Sequence, residues 1–482
     1  MEVYIFNHDY LYELENLTRV FFPNDKITVL KYMGGEDMKP PFVYTAITED
    51  KMEARLCDGE FDKTVTAPLT DGDEELALMT LVFDLFTQYT GYVPKWGLLT
   101  GVRPIKLMRR LKDDMDEEEA KKYFREKLLV SEEKTDLACE TEKNERKILD
   151  LSQRNSFSLY VSIPFCPSRC SYCSFVSQSV EKAKHLVEPY LELLVKEIKK
   201  TAEIAESLKL NLETVYIGGG TPTTLSAEQL KILLDAIKSS FDLSKCREFT
   251  VEAGRPDTIT FDKLKAVLEG GADRISVNPQ TLNDNVLENI GRRHTAQQAI
   301  DAFKLARQAG VGHINMDLIA GLPGDTIESF RNTLDGICEL DPESITVHTL
   351  SMKKSSGLTA EGKQILKQEG ITASLMLEYT KEKLSALGYK PYYLYRQSRM
   401  VGNLENVGWA KEGFESSYNV FVMDETHTVL GCGAGAVTKL KEYGTDRLER
   451  IFNFKYPYEY NTRFNEIIER KKGITEFYAK YF

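Results

Sequence analysis

Three cysteines lie close together directly after an apolar, strand-like run. The segment Tyr160-Val-Ser-Ile-Pro-Phe-Cys-Pro-Ser-Arg-Cys-Ser-Tyr-Cys places thiols at Cys166, Cys170 and Cys173. Thiolates are soft ligands that suit iron–sulfur clusters and zinc. A cubane 4Fe–4S cluster has four irons, so three cysteines leave one iron without a protein ligand. That iron can chelate a small molecule through an amino group and a carboxylate.

Two other uses of the same thiols fit the sequence less well. A structural zinc site needs four ligands, usually in two paired halves, and the loop has no fourth Cys or His nearby. Disulfide pairing is not expected in a chain whose start, Met1-Glu-Val-Tyr, lacks the features of a signal peptide. The spacing therefore favours a cluster ligated by Cys166, Cys170 and Cys173.

A glycine-rich turn follows the next strand-like run. The segment Gly218-Gly-Gly-Thr-Pro-Thr has three residues without a Cβ atom, so a ligand can approach its backbone closely. Free backbone N–H groups at such a turn can hold a carboxylate or can face water. Because the turn ends a strand beside the cysteine loop, we expect it to bind the methionine part of a ligand.

Polar residues recur at strand ends where packing does not require them. Glu252 ends the third predicted strand, Gln280 follows the fourth and Asp317 interrupts the fifth. Buried carboxylates and amides must be hydrogen-bonded. A bound nucleoside, with an amino group and ribose hydroxyls, would supply such bonds. An internal network, with Arg274 or Arg292 as the partner, is the alternative.

The elements that must position these residues alternate between strand and helix. Apolar, β-branched runs occur at 159–163, 214–217, 249–252, 274–277, 314–319 and 345–350. Between them lie segments of helical period at 186–208, 227–240, 261–268, 296–308 and 329–339. This alternation predicts parallel βαβ units with right-handed crossovers. We therefore predict an α/β fold with a partial (β/α)6 barrel over 151–370, with its chemistry at the carboxyl ends of the strands.

Two regions flank the predicted barrel. Residues 1–150 read as a separate α+β domain of unknown role, with strands at 3–6, 26–30, 42–48 and 64–67, a helix at 73–90 and a basic patch at 96–106. Residues 113–147 read as a charged, helical linker. Residues 371–482 read as an α+β cap over the barrel mouth, with a helix at 372–387, strands at 392–395 and 417–423 and a glycine turn at 431–435.

Composition limits the possible partners. The chain has 482 residues and a net charge of -12, which argues against non-specific nucleic-acid binding. No apolar run reaches the length of about 20 residues that a membrane-spanning helix needs. We therefore expect a cytoplasmic protein without a membrane span or a nucleic-acid partner.

Together these motifs resemble a known family. They are Tyr160-x-x-Ile-Pro-Phe-Cys-x3-Cys-x-Tyr-Cys, the Gly-Gly-Gly-Thr-Pro-Thr turn, Glu252, Gln280, Arg292 and Asp317-Leu-Ile-x-Gly-Leu-Pro. They are similar to those of the radical SAM oxygen-independent coproporphyrinogen III dehydrogenases, from about Ser158 to the C-terminus. The stretches 96–104 and 392–408 look most like the branch called HemZ. Residues 1–150 have no counterpart in the best-known members.

The resemblance implies the cofactors and the residues that bind them. It implies a 4Fe–4S cluster on Cys166, Cys170 and Cys173 and S-adenosyl-L-methionine (SAM) as the second cofactor. It implies that Tyr160 acts with these cysteines in catalysis. Positions that match family contacts to SAM are Tyr160, Tyr172, Gly219, Gly220, Thr221, Glu252, Gln280, Arg292, Asp317 and Ser351.

The resemblance also implies a reaction. Two propionate side chains of coproporphyrinogen III would be oxidatively decarboxylated to vinyl groups, which gives protoporphyrinogen IX. The reduced cluster would cleave SAM, and the 5′-deoxyadenosyl radical would take a hydrogen from the propionate β-carbon. Carbon dioxide would then leave, and an electron acceptor would take the last electron. The partners would be this tetrapyrrole and an electron donor such as flavodoxin or ferredoxin. Candidate cations for the substrate carboxylates are Arg103, Arg292, Arg293, Lys353, Lys354, Arg396 and Arg399.

Two positions depart from the best-known members. Phe175 stands where they have a fourth cysteine, and Ser162 stands where they have a histidine. The related haem-trafficking branch also lacks that fourth cysteine. A haem-binding delivery protein, with His294 or His348 as an axial ligand, is therefore an alternative. Another radical SAM reaction on a tetrapyrrole, such as methyl transfer with ring opening, is a third.

Overall fold

The chain forms two compact units. The structure is a computed structural model that describes residues 1–23, 25–34, 38–69, 72–173, 175, 177–351, 366–397 and 400–482, with the backbone alone for 366–369. The first unit comprises Met1–Cys139 and Arg396–Leu404. The second comprises most of the remaining chain, including Glu405–Phe482. The domain limits at residues 150 and 370 rest on sequence pattern and stay predictions.

The first unit is built on a five-stranded sheet with two helices packed on it. The elements are β1 (Glu2–Phe6), α1 (Leu11–Phe21), β2 (Thr28–Lys31), β3 (Phe42–Ile47), β4 (Lys51–Cys57), β5 (Asp62–Pro68), α2 (Glu74–Thr90), α3 (Pro104–Asp114), α4 (Glu117–Lys122) and α5 (Glu132–Leu149), the last of which continues into the second unit. The strand order is β2-β1-β3-β4-β5. The core lies between the sheet and helices α1 and α2, around Leu14, Leu56 and Phe83.

The second unit carries the predicted alternation of strands and helices. Its elements up to the sixth parallel strand are β6 (Ser156–Ile163), β7 (Phe165–Cys166), β8 (Gln178–Ser179), α6 (Val180–Ser207), β9 (Asn211–Gly219), α7 (Ala227–Ser240), β10 (Glu248–Glu252), α8 (Phe261–Glu269), β11 (Arg274–Gln280), α9 (Asp284–Asn289), α10 (Ala296–Ala309), β12 (His313–Ala320), α11 (Ile327–Glu339) and β13 (Ser344–Thr349). Helices begin where the sequence supplies caps. Ser226 and Gln229 form a capping box at α7, and Thr295 and Gln298 form one at α10.

The six predicted strands form one parallel sheet in chain order. Strands β6, β9, β10, β11, β12 and β13 lie side by side, and each pairs in parallel with the next. The predicted α/β class with six parallel strands is thereby confirmed. No closure of β13 onto β6 is found among the described residues; other strands pair with both of these outer strands.

The C-terminal residues extend this sheet on both sides. Their elements are α12 (Leu366–Ala386), β14 (Lys390–Tyr395), β15 (Asn406–Ala410), α13 (Ser417–Asp424), β16 (Thr428–Cys432), β17 (Val437–Lys441), β18 (Leu448–Phe452), α14 (Pro457–Thr462), α15 (Phe464–Arg470) and α16 (Lys472–Tyr481). Strand β15 pairs antiparallel with β13, and β16 pairs in parallel with β6. None of the helices within the described ranges has the length and apolarity needed to cross a membrane.

One predicted strand is wrong. The segment 417–423 is the helix α13, although its valines and aromatic residues favour a strand. Tertiary contacts decide the outcome, because the Glu248 carboxylate accepts hydrogen bonds at the amino end of the helix. The donors are the Ser416 hydroxyl at 2.8 Å and the Tyr418 N–H at 3.2 Å. A carboxylate at a helix N-terminus is favoured by the helix dipole.

Candidate functional site

The cysteine loop leaves the sheet at the carboxyl end of β6. Cys166 lies in the short strand β7, which pairs with β8, and the other two cysteines lie between these strands. Cys170 is buried, whereas Cys166 and Cys173 are half-buried. Burial raises the pKa of the Cys173 thiol, and the nearby Cys170 and Cys166 thiols raise this pKa further. Cys173 is therefore close enough to both of the other thiols to interact with them electrostatically.

The spacing of these sulfurs fits a cluster better than a single ion. Within the described ranges, no three His, Cys, Asp or Glu side chains are arranged to hold one metal ion. A mononuclear zinc site would need its ligands gathered at that short range. A 4Fe–4S cluster instead binds each cysteine through a different iron. The donor set of three separated thiols therefore fits the cluster that the sequence predicts.

The glycine turn is hydrogen-bonded to the cysteine loop. The N–H of Gly220 donates to the Ile163 carbonyl at 2.8 Å, and the N–H of Thr221 donates to the Phe165 carbonyl at 2.7 Å. The Thr221 hydroxyl donates to Cys166 Sγ at 3.5 Å. The expectation that N–H groups here are free for a carboxylate is therefore wrong at these two residues, because they fix the cysteine loop.

The absence of side chains in this turn is required by its contacts. A Cβ atom on Gly220 would lie 2.6 Å from the Phe165 carbonyl oxygen and 3.0 Å from Cys166 Sγ. A Cβ on Gly218 would lie 3.1 Å from the Glu252 carboxylate. Gly219 has a φ of +102°, which side chains rarely allow. The turn thus connects the cysteine loop to Glu252 by direct contact.

Two carboxylates at strand ends have opposite pKa shifts. Glu252 is enclosed by protein, and loss of hydration raises its pKa to about 7, although it accepts a hydrogen bond from the Tyr216 hydroxyl at 2.5 Å. Burial also raises the pKa of Asp317, but the His348 ring and the Asn315 amide outweigh this and leave the pKa lowered. Near neutral pH, Asp317 is charged while Glu252 is divided between its two protonation states.

One face of the parallel sheet lines an open interior. Strand side chains alternate between the two faces, and the residues that stay half-exposed in the middle of the sheet are Tyr160, Tyr216, Glu252, Asn278, Asp317 and His348. The side chain of Asp317 is 18% exposed and that of His348 is 29% exposed. Loss of hydration is the largest cause of the raised pKa values of Tyr160, Tyr216 and Glu252, so protein surrounds this face and the remaining exposure is towards an internal space. This space is where a nucleoside could be held.

Gln280 has an acceptor that the protein leaves unused. It ends β11 with a φ of +70° and is only 5% exposed. In the described part of the chain, its Oε1 atom has no hydrogen-bond partner. A buried acceptor without a partner costs roughly 1–3 kcal/mol. A ligand N–H at this position would remove that cost, so Gln280 fits a nucleoside site.

The donor groups of Arg292 are hydrogen-bonded to Tyr172 and to backbone carbonyls, so they are not available to a substrate. Its Nε and Nη2 atoms donate to the Tyr172 hydroxyl at 3.1 and 2.9 Å. Its Nη1 atom donates to the carbonyls of Gly254 and Asn278 at 3.0 and 2.9 Å. The arginine thus holds the tyrosine that lies between Cys170 and Cys173. It is an unsuitable partner for a substrate carboxylate.

The other candidate cations divide into three groups. Arg396, in the first unit, is buried and donates to the carbonyls of Leu99 and Asn403. Arg293 is exposed and pairs with Glu181 at 3.1 Å. Arg103, also in the first unit, is half-buried at the residue before α3. Lys353, Lys354 and Arg399 lie outside the described residues.

The structure describes the surroundings of both positions at which the sequence departs from the family. Ser162 donates to the Ala434 carbonyl at 2.8 Å. Phe175 is 59% exposed.

Ser351 lies just beyond β13 and is half-buried. His294 is 2% exposed, and burial, then Arg292 and Arg255, lower its pKa to about 4. A haem cannot reach this imidazole without opening the fold, whereas His348 faces the interior.

A second arginine beside the cysteine loop was not predicted from the sequence. Arg255 follows β10, is 3% exposed and pairs with Asp257. Its Nη1 atom donates to the Ser168 carbonyl and hydroxyl, and it lies 3.8 Å from Cys170 Sγ. The signal that could have found it is an arginine directly after a buried strand, in a segment that precedes Pro256. Tyr216 was also missed, and His348 was predicted only as a haem ligand, although period-two alternation places both on the interior face.

A buried carboxylate anchors the strand that leads into the cysteine loop. Glu197 on α6 is fully buried and forms an ion pair with Lys471 at 3.0 Å. It also accepts hydrogen bonds from Gly433 N–H, Asn453 Nδ2 and the Tyr460 hydroxyl at 2.8, 2.8 and 2.5 Å. We call these five residues the Glu197 network. Gly433 packs on the Ser162 carbonyl, so the network supports the end of β6.

Comparison with known proteins matches the part of the chain that carries the cysteine loop and most of the parallel strands. The family described as the radical SAM superfamily matches residues 160–337. The chain is 40% identical over 406 residues to the oxygen-independent coproporphyrinogen-III oxidase-like protein HemZ of Bacillus subtilis, covering 82% of this chain and 80% of that protein. It is 36% identical over 286 residues to the heme chaperone HemW of B. subtilis, covering 58% and 70%.

A solved structure has a related fold. The coproporphyrinogen III oxidase HemN of Escherichia coli, described as a radical SAM enzyme, superposes with a TM-score of 0.53 at 22% identity. The match covers 66% of this chain and 71% of that chain. At this identity the match concerns the fold. It agrees with the parallel six-stranded arrangement that the sequence predicts.

Proposed function

Since this chain belongs to the radical SAM superfamily and to the family of HemZ, the coproporphyrinogen-III oxidase-like protein, we propose that it oxidatively decarboxylates coproporphyrinogen III. Each of two propionate side chains would lose a hydrogen atom to the adenosyl radical, carbon dioxide, and one electron to an electron acceptor, and the resulting vinyl groups would give protoporphyrinogen IX. The 4Fe–4S cluster and SAM that this superfamily uses would, when bound, supply a 5′-deoxyadenosyl radical. The observation that carries the proposal is the continuous contact from the cysteine loop through the glycine turn to Glu252.

We assign tasks to the residues along this contact. Cys166, Cys170 and Cys173 would hold the cluster, and the turn Gly219-Gly220-Thr221 would keep their loop on the strand end. The donors and acceptors for SAM would come from the interior face and its rim: Tyr160, Tyr172, Glu252, Gln280, Asp317 and Ser351. Arg292 would act through Tyr172, whose hydroxyl it orients.

The pKa values of the two carboxylates suit this assignment. Asp317, with its lowered pKa, is an acceptor at all pH values near neutrality. Glu252, with a pKa of about 7, is able to accept or donate according to what the ligand presents. Enclosure by the strands also excludes water, and a carbon radical needs this protection from other hydrogen sources. The residues present therefore meet the needs of an adenosyl ligand.

Similarity beyond the parallel sheet favours the HemZ reaction over haem delivery. The HemZ match covers 82% of the chain, a share that cannot be reached without residues ahead of Ser158. The HemW match covers 58%, which the second unit alone can supply. The four carboxylates of the substrate would need cations, and Lys353, Lys354 and Arg399 are the candidates that we propose for them.

The test is an anaerobic assay of the reconstituted protein. Coproporphyrinogen III, SAM and a reductant should yield protoporphyrinogen, carbon dioxide and 5′-deoxyadenosine, measured by liquid chromatography with mass spectrometry. Cys170→Ala should abolish all three products, whereas Cys338→Ala, a change at a lone cysteine on α11, should leave them unchanged. SAM cleavage without decarboxylation would reject coproporphyrinogen III as the substrate but would support the assignment of radical chemistry.

Haem delivery is the second candidate function. It is favoured by Phe175 at the place of the fourth cysteine and by relatives named heme chaperone, including one from Lactococcus lactis at 33% identity. In that case, the purified protein should bind one haem per chain. His348→Ala should weaken this binding, while His185→Ala, on the exposed side of α6, should not. Absence of haem retention together with decarboxylation would reject this candidate.

A further inference from the structure

Arg255 is a buried cation at the cluster-binding loop that the proposed reaction does not use. It is 3% exposed, and its backbone is fixed by the turn that Pro256 begins. The Thr258 hydroxyl donates to the Arg255 carbonyl at 2.7 Å and closes this turn. A long, charged side chain held without solvent access is costly unless each donor has a partner. Its partners therefore indicate what the residue does.

The two edges of the guanidinium have different partners. Nε and Nη2 donate to the two carboxylate oxygens of Asp257 at 3.0 and 3.2 Å. This bidentate pair fixes the plane of the guanidinium. Nη1 is thereby directed at the cysteine loop, where it contacts the Ser168 carbonyl at 3.3 Å, the Ser168 hydroxyl at 3.1 Å and Cys170 Sγ at 3.8 Å. Asp257 orients the arginine, and the arginine faces a predicted cluster ligand.

We propose that Arg255 is a positioning residue that raises the reduction potential of the 4Fe–4S cluster through Cys170. One-electron reduction adds a negative charge to a cluster, so a donor N–H and a positive charge beside a ligand sulfur stabilise the reduced state more than the oxidised state. Because the site is buried, salt screens this interaction little. Arg255 thus makes the cluster easier to reduce. This inference rests on the proposed assignment of the three cysteines to a cluster.

The sequence supplies a matched control. Arg293 carries the same charge on the chain that follows β11, but its side chain is 61% exposed and it pairs with Glu181. Replacing either arginine with methionine removes one positive charge and keeps a long, unbranched side chain. Only the change at Arg255 removes a donor to a cysteine sulfur. The comparison therefore separates a directed contact from a general effect of charge.

The test is a redox titration of the reconstituted protein followed by electron paramagnetic resonance. At a fixed potential, Arg255→Met should lower the ratio of reduced to oxidised cluster at least tenfold, which equals about 59 mV for a one-electron couple. Arg255→Gln, which removes the positive charge and keeps a polar side chain, should also lower this ratio. Arg293→Met should change it less than twofold.

The outcomes that overturn the inference differ from those that overturn the proposed function. A ratio for Arg255→Met within twofold of the wild type, or an equal shift in Arg293→Met, would reject the role of Arg255. If Arg255→Met does not retain its iron, Arg255→Gln decides, and an unchanged ratio in that variant rejects the role. Absence of a SAM-responsive iron–sulfur signal in the wild type would instead reject the cluster assignment itself.

Discussion

Replacing Glu197 with glutamine should destabilise the second unit strongly. The glutamine keeps the shape of the side chain but removes the charge that compensates Lys471, whose side chain is 3% exposed. It also places an NH2 group where the carboxylate had only acceptors. Because Gly433 N–H, Asn453 Nδ2 and the Tyr460 hydroxyl all donate towards Glu197, one of them would then face another donor.

The size of the loss follows from these contacts. Breaking a buried ion pair by removing one partner costs about 3–5 kcal/mol. Domains are stable by only about 5–15 kcal/mol in total, so this single change removes a large part of the stability. The double variant Glu197→Gln/Lys471→Met removes both charges. It should recover at least about 1 kcal/mol relative to Glu197→Gln, since coupled neighbours have interaction energies of about 0.5–3 kcal/mol.

The assay can report on the second unit alone. The chain has two tryptophans, Trp96 in the first unit and Trp409 in the second, and both are buried. In a Trp96→Phe background, the fluorescence of Trp409 during urea unfolding gives the free energy of unfolding of the second unit. Glu203→Gln is the control, because the pair of Glu203 with Lys200 on the same helix is exposed.

The control should change the free energy of unfolding by less than about 0.5 kcal/mol, as expected for an exposed pair. The reasoning is refuted if Glu197→Gln also stays within about 1 kcal/mol of its Trp96→Phe parent, well below the cost expected for a broken buried pair. It is likewise refuted if the double variant with Lys471→Met is less stable than Glu197→Gln alone. Iron content after reconstitution should follow the stability series, because the Glu197 network supports the end of β6.

Three further predictions concern the candidate site. Gly220→Ala should destabilise the protein by about 1–3 kcal/mol through overpacking and reduce its iron content, whereas Gly312→Ala, which meets nothing within 4 Å, should do neither. The pKa of Glu252 in the folded state is about 7 and exceeds its ordinary value of 4.5. Between these two pH values the folded state binds more protons than the unfolded state, so the free energy of unfolding falls as pH rises. Between pH 4.5 and about 7, the free energy of unfolding of the cluster-free protein, measured with urea, should fall by about 3 kcal/mol more than that of Glu252→Gln. The same pH dependence of this free energy in both proteins would contradict the assigned pKa. Tyr172→Phe should lower the free energy of unfolding by about 1–3 kcal/mol, because two buried N–H groups of Arg292 lose their acceptor; an unchanged urea midpoint would contradict this.

The sequence predicted the parallel sheet well because its pattern is local and redundant. Each of the six strands is a β-branched, apolar run, and helices between them, such as α7 and α10, begin at capping residues, Ser226 and Thr295. The prediction missed β4 (Lys51–Cys57), where Lys51, Glu53 and Arg55 alternate with the buried Met52, Ala54 and Leu56. There the charged side chains on the outer face obscured the alternation of buried and exposed residues that is typical of a strand.

The parts that the sequence did not predict depend on distant contacts. Helix α13 has strand-like residues, and its amino end is fixed by Glu248, which lies far away in sequence. The role of Arg292 in holding Tyr172, and the position of Arg255 beside Cys170, depend on which loops meet at the strand ends. Residue type alone marks such side chains as candidates, but it does not say which of their donors are already used.

The pairing of β16 with β6 has a consequence for how the protein is made. Strand β6 carries the cysteine loop at its end, yet the carbonyl that receives the Ser162 hydroxyl belongs to Ala434, 272 residues later. At a synthesis rate of about 5–20 residues per second, this partner emerges on the order of ten to fifty seconds after the loop. On the ribosome, the loop therefore exists for most of synthesis beside an unpaired strand edge. Iron delivery that waits until release would meet a finished binding site, whereas earlier delivery would meet exposed thiols on an incomplete sheet.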